Sequence, residues 1–270
     1  MMRDFRNAGR ILALLTAFFS LPAMAADVEP EAEADFAPQL ASIEVTTGWY
    51  LRGDVGYNAD MRAGGSSYRT FDSGLYTAHN GAGSLSRKLT FDLGVGYSFT
   101  DMFRADVTLG RISSAFEGTG SCDPSLPSNC SRYSSSDFTG YSALANVYVD
   151  LGTVIGFTPY VGAGIGYTYL SWDDFESRHL CGGVACAGNA GASHPGESDW
   201  RLTYALMAGV AYDITPKMKL DIGYRYTNVD GGNMHGWDAA SAAAGATGIQ
   251  AADDGFSTHE IRVGLRFAFW

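Results

Sequence analysis

The chain has 270 residues, 18 Lys and Arg against 29 Asp and Glu, and a formal net charge of −11. So acidic a balance excludes a nucleic-acid partner, whose binding rests on Lys and Arg contacts to phosphate. Mean hydropathy is −0.05, and no stretch is apolar for the roughly 20 residues a membrane helix needs, so a membrane span would have to hide its apolar residues in alternation, as strands do.

Residues 1–25 have the layout of a secretory signal. Arg3, Arg6 and Arg10 precede an apolar run from Ile11 to Leu21, and Ala23-Met24-Ala25 supplies the small-residue cleavage site. The run is too short for an anchor. The first cysteine is Cys122, so no acylated cysteine begins the mature chain. Cleavage removes three Arg and one Asp, leaving the remainder more acidic. Residues 26–48 carry Asp27, Glu29, Glu31, Glu33 and Asp35 before Pro38, which reads as a disordered periplasmic extension with a recognition tail as the competing reading.

From Trp49 the pattern has period two, the mark of strands with unlike faces. Trp49, Leu51, Val55 and Tyr57 face one side, and Tyr50, Arg52, Asp54 and Gly56 the other. Leu89 to Phe99 alternates large apolar residues against Thr90, Asp92, Gly94, Gly96 and Ser98. Thr100-Asp101 turns into a third strand with Phe103, Ala105, Val107 and Leu109 outward and Arg104, Asp106 and Thr108 inward. A fourth runs from Tyr141 to Leu151, and a turn at Gly152–Gly156 leads to a fifth with Val161, Ala163, Ile165, Tyr167 and Tyr169 outward. Leu202 to Ile214 is the sixth; Leu220, Ile222, Tyr224 and Tyr226 define the seventh. The eighth alternates from Ile261 to Phe269.

Eight predicted strands are thus joined alternately by short connections and by long ones at 58–88, 113–138, 173–199 and 230–257. Structureless loops of that length count against a soluble domain. Transmembrane barrels combine them with short periplasmic turns, and only a closed sheet leaves no backbone group unpaired in lipid. The fold class is therefore all-β: an eight-stranded antiparallel up-and-down transmembrane barrel over 49–270, both ends in the periplasm. The 34 Gly, 15 Tyr and 15 Phe suit closely packed strands with aromatic girdles.

The inward set holds Arg52, Arg104, Lys219, Arg225, Arg262 and Arg266 beside Asp54, Asp92, Asp106, Asp150, Asp213, Asp221 and Glu260. An eight-stranded barrel is about wide enough for its own side chains, and near balance of sign permits mutual pairing, so a polar plug is the first reading. A solute channel competes, kept open by the inward glycines. Cys122, Cys130, Cys181 and Cys186 lie in two loops of a secreted chain, so pairing is expected, locally as 122–130 and 181–186; zinc competes, without a CxxC pattern. Ser257 and His259 stand at the height where some small barrels remodel lipid A, but nothing in sequence orients them, and a girdle histidine is the reading taken. The loop acids Asp173, Asp174, Glu176, Glu197 and Asp199 lack EF-hand spacing. No cofactor, metal or catalytic residue is assigned.

The stretches Trp49–Tyr57, Pro159–Tyr167, Leu220–Tyr226 and Ile261–Phe267 together resemble the small outer-membrane barrels of alphaproteobacteria grouped with opacity-type surface antigens. The resemblance covers the strands and not the loops. It implies an OmpA/OmpX-type barrel in a Gram-negative outer membrane, surrounded by lipid and lipopolysaccharide. Envelope integrity and loop display to host or surface ligands are the implied roles. It further implies recognition by the barrel-assembly machinery through the last strand and its terminal aromatic. Alternation puts Phe267 and Phe269 on one face and Trp270 on the other, a departure from the family's usual Phe ending.

Overall fold

The computed structural model describes residues 47–81, 84–86, 88–121, 129–186 and 191–269; the proposed signal, the extension up to residue 46, Cys122 and Trp270 lie outside them. Eight long strands carry the architecture: β1 (Gly48–Ala63), β2 (Leu89–Ser98), β3 (Phe103–Ser121), β4 (Cys130–Asp150), β5 (Phe157–Trp172), β6 (Ser198–Thr215), β7 (Met218–His235) and β8 (Ala251–Ala268). Each pairs antiparallel with its neighbour in sequence, and β8 pairs with β1 from Tyr50↔Ala268 to Ala63↔Phe256. The ring is closed, so no strand edge meets lipid.

Most outward positions in the membrane band are large and apolar, with Leu93 71% and Leu109 64% exposed, whereas inward Tyr50 and Leu144 are buried. A girdle of Trp49, Tyr97, Phe99, Phe157, Tyr212, Phe267 and Phe269 rings the end that carries the short turns, its neighbours in edge or tilted contact. Those turns are tight for local reasons. Thr100 Oγ1 accepts from the backbone N–H of Met102 and Phe103 (3.2 and 3.0 Å). Between β4 and β5, Val154 and Phe157 exchange both backbone hydrogen bonds around Ile155 and Gly156, both left-handed (φ 51° and 79°), as a two-residue hairpin turn requires.

The long connections are not structureless. β3 and β4 remain paired as far as Ser121↔Ser131. Ser66–Asp72 and Leu75–Gly81 form a hairpin that joins the sheet through Tyr68↔Ala251. Phe175–Cys181 adds to the outer part of β4 from Ser135↔Glu176 to Cys130↔Cys181. Among the described residues a short helix, α1 (Ala239–Ala243), follows β7, its N-terminus capped by Asp238. Period-two reading stops where lipid stops, because the outward face then meets water and Ser134-Ser135-Ser136 carries no apolar alternation. Backbone pairing needs no apolar face and continues above the membrane, an extracellular crown built of strand.

Candidate functional site

Each inward side chain projects from a strand whose opposite face meets lipid, so the interior is filled in layers. Nearest the short turns, Arg104 Nε donates to both oxygens of Asp150 (3.1 and 3.2 Å), with its guanidinium carbon 3.9 Å from the Tyr148 ring centre and 4.9 Å from that of Tyr160. Arg266 donates to Asp221 (3.0 Å) and lies 5.5 Å above the Tyr50 ring. Asp213 stands at the rim instead, a third exposed and 2.6 Å from Lys219 Nζ.

One layer further in, Arg52 forks onto Asp54 (2.8 and 2.9 Å) and extends its third nitrogen to Asp106 (3.0 Å) and the Tyr148 hydroxyl (2.8 Å). Asp106 also accepts from the Tyr50 hydroxyl (3.1 Å) and the Asn146 amide (2.8 Å). Beside it Arg225 donates to Asp92 (3.2 Å to each oxygen) and Glu260 (3.1 Å), and Thr90 donates to Glu260 (2.6 Å). Arg262 ties the two groups together. It donates to Asp92 at 2.6 Å and stands 3.0 Å from Glu260 and 3.5 Å from Asp54. No member of this net has a side chain more than 9% exposed. Buried charges persist only where partners replace water, and β1, β2, β3, β7 and β8 each contribute some.

Three interior features escape period-two reading. Inward glycines do not hollow the lumen; they admit tyrosines. A β-carbon on Gly209 or Gly223 would lie 2.6 or 2.7 Å from the Tyr160 hydroxyl, closer than any side chain tolerates. Two interior voids beside the charge net measure about 10 and 30 Å³, room for about one water and about two. Second, the extracellular end is closed by an apolar cluster of Met61, Phe138, Leu170, Trp172, Val229, Met234, Ala251 and Phe256, where a polar interior is the sequence expectation. Third, Arg201, buried to 2%, donates to both oxygens of Asp253 (2.8 Å), to Asp199 (2.7 Å) and to the Asn233 carbonyl (2.8 Å). It lies one residue before the predicted sixth strand; extending the alternation of Thr203, Ala205 and Met207 by one step finds it.

In the crown, Cys181 and Cys186 form a disulfide, and Cys130 is disulfide-bonded as well. The three sulfurs lie within 4.8 Å of one another, but bonded sulfurs are not thiolates and offer zinc nothing. His235 is buried between Trp172 and Phe175 (ring centres 5.6 and 5.1 Å) with Ser136 Oγ 3.1 Å from Nε2. Burial, then the nearby His194, pushes its pKa down to about 4. His259 hydrogen-bonds the Tyr224 hydroxyl and packs on the Tyr226 ring at 5.2 Å, and Ser257 shares its outward side. Three of the five loop-three acids have partners: Glu176 pairs with Arg178, Asp199 with Arg201, and Asp174 accepts from the Gly196 N–H.

A closed eight-stranded ring, an apolar outer band between aromatic girdles and a desolvated polar interior define a transmembrane barrel of the outer membrane. The family described as "Outer membrane protein beta-barrel domain" matches residues 11–269, and this chain belongs to it. An uncharacterized protein of Brucella suis biovar 1 is 37% identical over the whole of both chains. The "Putative adhesin" of Rickettsia bellii is 27% identical over 81% of this chain and 87% of its own. Among solved structures, neisserial surface protein A shares 19% identity with a TM-score of 0.43, covering 82% of this chain and 97% of that one.

Proposed function

We propose that this protein is a non-enzymatic structural barrel that supports the envelope and presents a strand-built crown to host or surface ligands. The observation that carries the reading is the filled interior: a net of paired charges below, an apolar cluster above, and the ring fully closed. A lumen occupied by its own side chains leaves the outer surface as the working part. The crown is suited to display, because hydrogen-bonded hairpins and a disulfide hold it in shape. On this proposal residues 1–25 are removed on export, 26–48 form a periplasmic extension, and the assembly machinery reads the final strand at Phe267, Phe269 and Trp270. The test is expression on a non-adherent Gram-negative cell. Binding to eukaryotic cells or matrix should appear, and should vanish when the 66–81 hairpin is replaced by a short turn in a barrel that still folds. Equal binding with and without the barrel would refute display; unchanged detergent sensitivity on its removal from the native cell would refute envelope support.

A further inference from the structure

On β3 the outward side runs Phe103, Ala105, Val107, Leu109, and the next outward position is Arg111, which is exposed. Its register partners are Phe91 on β2 and Tyr141 on β4. From Tyr141 the same row passes to Tyr169 and Trp200, whose rings are in tilted contact at 5.2 Å. That row is the girdle on the crown side, so the guanidinium stands where hydrocarbon gives way to headgroups. The other arginines of the membrane band, Arg52, Arg104, Arg225, Arg262 and Arg266, point into the lumen and are paired there with carboxylates. Arg111 lies over the Tyr141 ring at 6.0 Å and, among the described residues, makes no ion pair.

A guanidinium at headgroup level without a carboxylate of its own chain is placed to take a phosphate from outside the chain. Hydroxyls gather beside it. Ser113 and Thr139 are register partners one outward step above Arg111 and Tyr141. Below them Phe91 and Leu109, 55% and 64% exposed, offer apolar surface. Cation, hydroxyls and apolar floor together match a phosphate attached to acyl chains, which a planar guanidinium grips bidentately.

We infer that Arg111, with the hydroxyls of Ser113, Thr139 and Tyr141, binds a phosphate of the lipid anchor of lipopolysaccharide in the outer leaflet. The site rests on the orientation of the barrel, with its short turns in the periplasm, and not on adhesion; a crown that binds no host ligand leaves it untouched. The test is native mass spectrometry of the purified full chain with phosphorylated lipid A, dephosphorylated lipid A and phosphatidylglycerol. The wild type should retain phosphorylated lipid A about tenfold better than the dephosphorylated form, one charge-assisted contact. Arg111→Gln should abolish that preference and Arg111→Lys should keep part of it, with heat-modifiable mobility confirming that each variant is folded. A preference as large in Arg111→Gln as in the wild type overturns the site. Phosphatidylglycerol retained as well as phosphorylated lipid A overturns the assignment to lipopolysaccharide.

Discussion

Replacing Arg262 by Ala removes the side chain that joins the two halves of the lumen net. It leaves Asp92 without its 2.6 Å partner and takes away the cation 3.0 Å from Glu260 and 3.5 Å from Asp54. Arg225 still holds Asp92 and Glu260, and Arg52 still holds Asp54, so the net loosens without collapsing. Removing one member of a buried ion pair costs about 3–5 kcal/mol. With urea slopes of about 1–3 kcal/mol per molar, the unfolding midpoint should fall by about 2 M. The internal comparison is Arg62→Ala, which breaks a pair whose side chains are 72% and 41% exposed; such pairs contribute about 0–1 kcal/mol, and its midpoint should move by less than about 0.5 M. Both variants are refolded into lipid vesicles and titrated with urea, tryptophan emission and heat-modifiable mobility being read together. Midpoints for Arg262→Ala and Arg62→Ala that coincide would refute the claim that the lumen charges hold the barrel.

His235 has a folded-state pKa of about 4 against an ordinary 6.5, so the opened crown takes up the proton first. Crown stability should be flat above pH 6.5, fall between about 6.5 and 4, and level off below; protease sensitivity of the crown should follow that curve, and an equal slope in His235→Gln would contradict it. Unreduced digestion should yield linked 181–186 and 122–130 fragments, and Cys122 joined to Cys181 or Cys186 would mean that the two hairpins are stapled to each other. Phe269→Ala should lower the folded band in outer-membrane fractions far more than deletion of Trp270; the reverse would shift the register of the last strand by one.

The strands were legible where lipid imposes two unlike faces. Leu89–Phe99 and Ile261–Phe269 can be read residue by residue for that reason, and the lumen positions of Arg52, Asp92 and Arg262 follow by parity. Pairing partners do not follow from parity: that Arg262 bridges Asp92 and Asp54 depends on strand register and side-chain reach. The crown was illegible because a strand whose outward face meets water instead of lipid loses its hydrophobic period, which is why 113–138, ending in Ser134-Ser135-Ser136 and Phe138, reads as loop. Phe138, Trp172 and Phe256 show the converse. They point into the lumen on the same parity as polar neighbours, and only the closed ring shows that their rings meet to cap it. Gly209 and Gly223 read as empty space until Tyr160 from β5 is placed over them.

The central claim, a lumen filled by its own paired side chains, is tested most directly by single-channel recording of the purified full-length protein in planar bilayers. The wild type should give a quiet baseline, with folded insertion shown by protease protection of the strands. A steady conductance of discrete size from that same preparation would contradict it.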